Sequence, residues 1–545
     1  MRFHRQQSLL AFAGSFFVLL VLHGNVLRLP YFWDEAGYYV PAARDILVSG
    51  SLIPLSSISN AHPPLVMLWL AGAWKVLGYS IPVTRIAMLL VAGFALTGLF
   101  RLAQRAANTT VAFCSIALTA LYPVFFAQSS LGQVDMAAAG LTFWGLTAYL
   151  EDRPGWVVFW FCLAVLTKET ALLTPAVLAG WECCSLIARR WLSSASATTP
   201  RWEARLAKRI FLQRSSSARD SAKFGLLASL ALPLLPLSLW YAYHFAHTGY
   251  IFGNPEFVRY NVTATFSLER ITLAIFLRLW QVFGYMHLWT LTGAMLVAML
   301  LPPVRDQGEQ RPRIGTAVQV VLLIVVLAHV VAMSLIGGAV LARYMLPAVP
   351  LVIVAAVSTL WRRLRWWRTA LVVIGMAFVA AWFWNPPYGF SPEDNLSYRD
   401  FVHLHQDAAR YLEEHDGGRR VLTAWPATDE LTRPWLGYVG WPLNVMKIND
   451  FSDTQIEDAA RLRDSYDVAL VFSTKYEPAH PLKWEWTAAW ERTKSRIFDF
   501  HRDVTPAVAA EILGGRIAFS EQQHGQWIAV IQLEPGLQAA TASQP

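Results

Sequence analysis

Two adjacent carboxylates, Asp34 and Glu35, follow the first long apolar run of the chain, Leu9 to Leu27. A helix needs about 20 apolar residues to cross about 30 Å of hydrocarbon, so both carboxylates fall at the membrane surface. The stretch Tyr31–Tyr39 around them is rich in aromatic rings. Carboxylates in such a setting can bind a polar head group while the rings contact apolar chains. An aromatic belt with an acidic helix cap is the alternative.

Further ionisable side chains recur at the predicted outer ends of apolar runs, and a tyrosine accompanies one of them. They are His62, Asp135, Lys168, Glu169, Arg343 and Tyr344. Ionisable residues at the edge of membrane helices are costly unless they are paired or functional. Taken singly, each has an ordinary explanation as a helix cap, a turn residue or a snorkelling anchor. As a set they predict one polar cavity at the outer face.

Such a cavity suits a lipid whose phosphate links an apolar tail to a sugar. Lys168 and Arg343 are suited to hold the phosphate, and arginine does so through a planar fork that lysine lacks. Asp34 is placed to deprotonate or orient an acceptor hydroxyl, or to offset charge on the sugar ring. Transfer in a single displacement would invert the anomeric carbon.

Composition indicates a polytopic membrane protein. Of the 545 residues, 55% are hydrophobic and only 15% are charged, whereas globular domains carry about 25% charged residues. The net charge of +8 comes from positive residues that cluster beside apolar runs, so no nucleic-acid partner is expected. The four cysteines all lie in apolar runs, which argues against a disulfide framework or a cysteine metal site. A divalent metal between Asp34 and Asp135 remains open, without a spacing argument for it.

Basic clusters predict the topology. Arg2 and Arg5 precede the first apolar run, and the loop at 201–219 is strongly basic. The positive-inside rule therefore predicts a cytoplasmic N-terminus, about eleven spanning helices and an external C-terminal domain. The segments Asp34–Ser49 and Leu65–Leu77 are predicted to be interfacial or re-entrant helices in the first external loop. Counting the second of them as a span would put the most basic loop outside.

The composition changes after residue 385. Residues 1–385 are predicted to form the transmembrane domain, 386–535 a soluble extracytoplasmic α/β domain, and 536–545 a disordered tail. Periodicity predicts two helices and four strands in the soluble domain, with a hairpin between the last two strands. The helices are Tyr398 to Glu414 and Ile456 to Arg463, and the strands are Arg420–Ala424, Val468–Phe472, Ile517–Ser520 and Trp527–Leu533.

Five short motifs in this order resemble the polyprenyl-phosphate-sugar-dependent membrane glycosyltransferases, including aminoarabinose transferases of lipid A and protein O-mannosyltransferases. The motifs are Trp33-Asp34-Glu35, His62-Pro63-Pro64-Leu65, Gly132-Gln133-Val134-Asp135-Met136, Leu166-Thr167-Lys168-Glu169 and Arg343-Tyr344-Met345-Leu346-Pro347. The resemblance covers about residues 8 to 385. It implies the C-type glycosyltransferase fold, in which many helices surround an external cavity.

The resemblance also implies roles for individual residues. Asp34 matches the catalytic aspartate of the first external loop, with Glu35 beside it, and Asp135 matches a second cavity carboxylate. Lys168 matches a lysine that contacts phosphate. The expected partners are a polyprenyl-phosphate sugar donor and a lipid A, glycan or protein acceptor, and the expected location is the bacterial inner membrane. These imply modification of lipopolysaccharide or of protein.

Two other classes of protein remain open. A lipid-linked sugar flippase or transporter would also place ionisable side chains in a helical bundle, and a scaffold protein could use the outer domain to bind a partner. Transporters often show paired repeats and charged groups near the midplane. The chain has no internal repeat, and its charged residues crowd one face, which favours the enzyme.

Overall fold

The computed structural model describes residues 2–194, 220–253, 255, 267–336, 338–478, 485–498 and 502–533. The basic loop at 201–219 and the tail 536–545 lie outside these ranges, so the predictions made for them stay as stated. The described part is mostly helical up to Phe383 and carries a β-sheet after it.

Sixteen α-helices lie in the described part of the chain up to Phe383. The helices are α1 Arg2–Leu22, α2 Val40–Ser49, α3 Leu65–Leu77, α4 Ile81–Ala106, α5 Thr109–Leu121, α6 Pro123–Gln128, α7 Val134–Leu150, α8 Pro154–Val165, α9 Leu173–Ser194, α10 Asp220–Ala231, α11 Leu234–Thr248, α12 Leu268–Phe283, α13 Leu288–Met299, α14 Thr316–Ile336, α15 Val349–Arg363 and α16 Trp367–Phe383. A two-stranded hairpin, β1 Arg305–Asp306 with β2 Glu309–Gln310, lies between α13 and α14.

Helix α4 is the centre of the bundle. Its first turn is capped by Ser80, whose hydroxyl accepts a hydrogen bond from the backbone N–H of Val83, which satisfies one of the free donors of a helix start. It packs closely on α7 because Gly140 has no side chain there: a Cβ atom would lie 2.7 Å from the Cβ of Ala95. Small residues at such contacts let membrane helices approach each other. This close packing places the first turn of α7, which carries Asp135, beside α4.

The number of spans stays a prediction. Among the described residues, four helices are long and apolar enough to cross a membrane, or five if the bent pair α12 and α13 counts as one span. Five further apolar helices have only 10–17 residues, and α3 is one of them, with the bounds that the sequence predicts. The axes of α12 and α13 differ by 78°. The apolar helices agree with a membrane protein, whereas the count of eleven is untested.

The C-terminal part contains a five-stranded sheet with five helices around it. Its strands are β3 Arg420–Ala424, β4 Asn444–Ile448, β5 Val468–Phe472, β6 Gly515–Gln523 and β7 Gln526–Leu533, and its helices are α17 Ser397–Asp416, α18 Ala427–Thr432, α19 Asp453–Arg461, α20 Glu485–Phe498 and α21 Pro506–Leu513. The sheet order is β4-β3-β5-β7-β6. Strands β3, β4 and β5 are mutually parallel, while β7 runs antiparallel to β5 and β6.

The predicted strands and the hairpin are present, with one omission. The hairpin turns at His524 and Gly525, which both have positive φ. Strand β4 was not predicted because it lies at the sheet edge, where partial burial leaves no strong apolar signal. The predicted helix at 456–463 begins three residues earlier, at Asp453, and ends at Arg461.

The sheet part packs directly on the aromatic stretch Tyr31–Tyr39. Phe401 of α17 meets Phe32 edge-on with ring centroids 5.2 Å apart. The hydroxyl of Tyr438 donates a hydrogen bond to the backbone carbonyl of Tyr31 at 3.0 Å. The two parts of the chain therefore meet at the residues that sequence analysis singled out for chemistry.

Candidate functional site

A cavity of about 710 Å³ lies at this meeting point. Most of its polar wall comes from the predicted set, and the late helices and the sheet part supply the rest. Its lining includes Trp33, Asp34, Tyr38, Tyr39, His62, Lys168, Glu169, Tyr241, Phe252, Met333, Ile336, Leu341, Arg343, Tyr344, Glu393, Trp425, Thr474 and Lys475. The cavity therefore combines a charged wall with apolar side chains, as a site for an amphiphilic ligand requires.

Asp34 lies on the cavity wall at the start of a short π-helical turn, Glu35–Tyr39. Trp33 before it has a φ of 48°, a left-handed conformation that non-glycine residues seldom adopt. Strained backbone of this kind clusters at functional sites. The Asp34 carboxylate accepts a charge-assisted hydrogen bond from Arg343 and keeps part of its surface open to the cavity.

Glu35, in contrast, lies outside the cavity lining and has no exposed surface. Its carboxylate accepts hydrogen bonds from Arg85 at 2.5 Å, from the backbone N–H of Phe32 at 2.9 Å and from the backbone N–H of Gly132. Arg85 also donates to the carbonyls of Pro30 and Ser130. Glu35 and Arg85 together tie the segment after α1 to the segment before α7.

Arg343 is the centre of the charged wall. It lies in the 3-10 turn Ala342–Met345 and is buried. Its guanidinium contacts the carboxylates of Asp34 and Glu393, donates to the side-chain oxygen of Gln133 at 2.8 Å, and lies 3.4 Å from Asp135. Such a planar fork can hold several oxygens at once.

Arg278 positions the segment that carries Arg343. It is buried in α12 and donates hydrogen bonds to the backbone carbonyls of Leu341 at 2.6 Å and Ala339 at 3.3 Å. Its role here is to satisfy the carbonyls of an irregular segment that would otherwise be buried without partners.

Lys168 and Asp135 form a second buried ion pair, with Nζ 2.6 Å from Oδ1. The Lys168 ammonium also lies 4.0 Å from the centroid of the Tyr344 ring, within the range of a cation–π contact. The Arg343 guanidinium lies 5.6 Å from the same centroid. The Tyr344 ring therefore contacts both Lys168 and Arg343, the two cations that line the cavity.

His62 and Glu169 form a third pair, with Nδ1 2.8 Å from Oε2. The His62 ring also stacks on Tyr39 at a centroid distance of 6.0 Å. A carboxylate on one ring nitrogen sets the orientation of an imidazole. The structure thus brings all eight predicted site residues into one region, with Glu35 and Asp135 behind the lining and the other six on it.

Several residues at the site were missed by sequence analysis. Glu393 follows the last apolar helix and pairs with Arg343, and Gln133 bridges the two through its amide. Burial raises the pKa of the Glu393 carboxyl, although the Arg343 guanidinium opposes this shift. Trp425 and Lys475 come from the sheet part. Glu393 lies in an ordinary Pro-Glu-Asp turn, so the surrounding sequence does not indicate that it pairs with Arg343.

The carboxylates do not fit a divalent metal. Asp34 contacts Arg343, and Asp135 contacts Lys168 and Arg343, so cationic side chains already balance both. Within the described ranges, no three His, Cys, Asp or Glu side chains are grouped as metal ligands would be. No reaction step is therefore assigned to a metal.

Comparison with known proteins supports the resemblance seen in the motifs. Residues 61–199, which include His62, Asp135 and Lys168, match the family model described as dolichyl-phosphate-mannose-protein mannosyltransferase. No curated protein sequence matches the chain.

Two solved structures share the fold over nearly the whole chain. The first is ArnT from Cupriavidus metallidurans bound to undecaprenyl phosphate, with 14% identity, a TM-score of 0.52 and coverage of 96% of this chain and 97% of that chain. The second is the same protein in the apo state, with 13% identity, a TM-score of 0.53 and coverage of 95% and 98%. The family-model match and the shared fold confirm the predicted resemblance to polyprenyl-phosphate-sugar-dependent membrane glycosyltransferases, and with it the prediction that the chain is a glycosyltransferase.

Proposed function

We propose that the chain transfers a sugar from a polyprenyl-phosphate donor to an extracytoplasmic acceptor, which is lipid A, another glycan or a protein. The observation that most directly supports this proposal is that Asp34, Lys168 and Arg343 line one cavity, although they are distant in sequence. A transferase needs a base and phosphate-binding cations around one reacting carbon. ArnT, whose fold the chain shares, has been solved with undecaprenyl phosphate bound.

The donor phosphate binds to Arg343 and Lys168 in this proposal. Both cations now hold carboxylates, so the phosphate oxygens replace part of those contacts. Arg343 has three carboxylates nearby, and the one on the cavity wall with the most exposed side chain is Asp34. Donor binding therefore loosens the contact between Arg343 and Asp34 and leaves the Asp34 carboxylate available to the acceptor.

The reaction is one displacement with balanced atoms. The acceptor oxygen forms a bond to the anomeric carbon while the bond from that carbon to the phosphate oxygen breaks. The acceptor proton passes to Asp34, and the electron pair of the broken bond stays on the polyprenyl phosphate. The leaving phosphate gains one negative charge, which Arg343 and Lys168 stabilise. A single displacement inverts the configuration at the anomeric carbon.

The remaining predicted residues support these groups. Asp135 holds the Lys168 ammonium and approaches Arg343, so it positions both cations. Glu169 orients His62, which supplies a third donor to the phosphate or the sugar. Tyr344 packs between the cations. Glu35 is a positioning residue because it shapes the turn of Asp34 through Arg85 without touching the cavity.

The same proposal covers location and topology. The chain is a multi-pass protein of the bacterial inner membrane with about eleven spans and a cytoplasmic N-terminus. Residues 1–385 form the transmembrane domain, and the 386–535 domain lies outside the cytoplasm beside the cavity. The apolar lining residues Met333, Ile336 and Leu341 are then available to the isoprenoid chain.

Turnover without an ion gradient tests the proposal against a flippase. The purified chain in nanodiscs is incubated with polyprenyl-phosphate-linked mannose, glucose, galactose and aminoarabinose, one at a time, and released polyprenyl phosphate is measured with and without lipid A or a serine-containing peptide. Cleavage of at least one donor supports a transferase, because nanodiscs have no gradient and no second compartment. Intact donors throughout, with scrambling of a labelled donor across liposomes, would establish the flippase instead.

A further inference from the structure

From Ser397 onward, three residues line the cavity, and all of them follow the carboxyl ends of two neighbouring strands of the sheet. Trp425 follows directly after the last residue of β3, Ala424. Thr474 and Lys475 come two and three residues after the last residue of β5, Phe472. Strands β3 and β5 are parallel neighbours, so their carboxyl ends lie side by side.

The order of the strands indicates that ligands can bind at the carboxyl ends of β3 and β5. The chain runs from β3 to β4 on one side and then returns to β5 on the other side of β3. The connection after β3 leads to β4 on one side, and the connection after β5 leads to β6 on the other side, so these two connections diverge between β3 and β5. Ligands of open α/β sheets bind in the crevice outside the carboxyl ends of the strands at such a switch point. Here that crevice opens on the cavity.

The structure holds Trp425 at this position by specific contacts. Its ring meets Trp33 edge-on at a centroid distance of 5.0 Å and lies 5.7 Å from the Tyr38 ring. Gly37 makes room for it, because a Cβ atom there would lie 2.6 Å from Nε1 of Trp425. Trp425 thus packs against Trp33, which precedes Asp34, and against Tyr38, which lies in the turn after it. The ring is half-buried and lines the cavity.

The loop after β5 is also fixed. The backbone N–H and the hydroxyl of Thr474 both donate to the carboxylate of Asp503, at 2.7 Å and 2.9 Å. Thr474 and Lys475 belong to this fixed loop and line the same cavity as Trp425. An indole beside hydroxyl and ammonium groups matches a sugar ring, which has an apolar C–H face and a polar rim.

We propose that the switch-point crevice of the sheet binds a sugar ring of the acceptor, with Trp425 as the stacking surface. This inference rests on the proposed function, because it assigns the acceptor side of the same cavity. The donor reaches the cavity from the membrane, with its phosphate on Arg343 and Lys168. The sheet part meets the cavity from the other side, so its loops are placed for the acceptor. A glycolipid and a free glycan present the same ring, and the test separates them.

Binding of simple glycosides, without any donor, tests this directly. Saturation-transfer NMR is recorded on the full-length chain in nanodiscs with the methyl glycosides of mannose, glucose and galactose, each up to 50 mM, and then with lipid A embedded in the disc as a competitor. Trp425→Ala is expected to weaken binding of the preferred glycoside roughly three- to tenfold, and Trp425→Phe is expected to weaken it less. Trp441→Ala removes an exposed tryptophan of the same sheet part and is the matched control.

Each outcome is decisive. Binding that depends on Trp425 and not on Trp441 supports the inference, and competition by lipid A identifies a glycolipid as the source of the ring. No glycoside binding, equal effects of the two alanine variants, or Trp425-dependent binding of a serine-containing peptide in place of a glycoside overturns it. The glycoside-binding test contains no donor, so it is independent of the turnover test. If no glycoside binds while donors are still cleaved, the sugar-binding role of the crevice is wrong and the proposed function stands. If glycosides bind while no donor is cleaved, the proposed function is wrong.

Discussion

Arg343 contacts the carboxylate of Asp34 although 309 residues separate them in sequence. The arginine also contacts Glu393, so one guanidinium joins the segment after α1 to the segment after α16. In the proposed reaction this guanidinium exchanges carboxylate oxygens for phosphate oxygens. The geometry of the fork, and not the positive charge alone, should therefore decide activity.

Replacing Arg343 with lysine tests the fork. Lysine keeps the positive charge, but its single ammonium group cannot hydrogen-bond to Glu393, Gln133 and a phosphate at the same time. Loss of one charge-assisted hydrogen bond costs about 1.5–3 kcal/mol, which corresponds to roughly a 10- to 100-fold fall in donor turnover. Initial rates in nanodiscs measure it, and Arg410→Lys on an exposed helix face is the control. Turnover of Arg343→Lys equal to that of the control contradicts the role of the fork.

The Glu35–Arg85 pair predicts a loss of stability that Asp34 variants do not share. Both side chains are almost completely buried, so Glu35→Gln leaves the Arg85 charge without a counter-charge. Breaking a buried pair in this way costs about 3–5 kcal/mol. We expect a clearly lower thermal unfolding midpoint for Glu35→Gln and an unchanged one for the exposed Glu457→Gln.

A double variant separates the pair from the rest of the loop. Glu35→Gln with Arg85→Met removes both charges, so part of the lost stability should return. If the double variant is as unstable as the sum of its single variants, the two residues do not act as a pair.

Sequence patterns predicted the elements well where burial is continuous. Strands β3 and β5 have the predicted bounds because their central positions are buried on both faces, and α3 was bounded by Pro64 and Gly78. Edge strand β4 lacked that signal. At the site, two adjacent carboxylates cannot reveal from sequence which of them faces a cavity, because that depends on the π-helical turn at Glu35–Tyr39.

Other features of the site follow from long-range packing. Arg85 lies near the start of a long apolar run, and nothing in the neighbouring sequence indicates that Glu35 is its partner. Trp425 and Glu393 lie in a part of the chain where no motif pointed to the cavity. Their role arises because the chain after α16 folds back on the segment after α1, and this contact is visible only in the structure.

Asp394 predicts the pH dependence of stability. Burial, together with the neighbouring Glu393 carboxylate, raises its pKa from 3.8 to about 8, and its Oδ2 atom accepts a hydrogen bond from Tyr285 at 2.6 Å. The folded chain therefore keeps this proton where the unfolded chain loses it. The stabilising effect is complete below about pH 4 and declines by up to about 1.4 kcal/mol per pH unit until about pH 8.

Thermal unfolding at pH 5 and pH 8 measures this effect. The wild-type midpoint should be lower at pH 8, and Asp394→Asn should reduce the difference because an amide does not ionise. Asp458→Asn on an exposed helix is the control and should keep the wild-type difference. Identical pH dependence in all three proteins contradicts the assignment to Asp394.

Gly37 predicts an indirect effect on the sheet part. In Gly37→Ala the new Cβ atom would overlap the Trp425 ring, so the indole must leave its present position beside Trp33 and Tyr38. We expect Gly37→Ala to weaken glycoside binding in the same way as Trp425→Ala. Gly72→Ala adds a methyl group to open space on α3 and is the matched control. Wild-type glycoside binding by Gly37→Ala would show that this close contact does not position the ring.

The most direct test of the central claim is Asp34→Asn, measured for donor binding and for turnover in the same nanodisc sample. Asparagine keeps the size of the side chain and removes the base, while Arg343 retains Glu393 and Asp135 as partners. We predict an unchanged unfolding midpoint, donor binding within a few-fold of wild type, and turnover reduced by at least about 100-fold. Full turnover by Asp34→Asn would remove Asp34 from the reaction and contradict the mechanism.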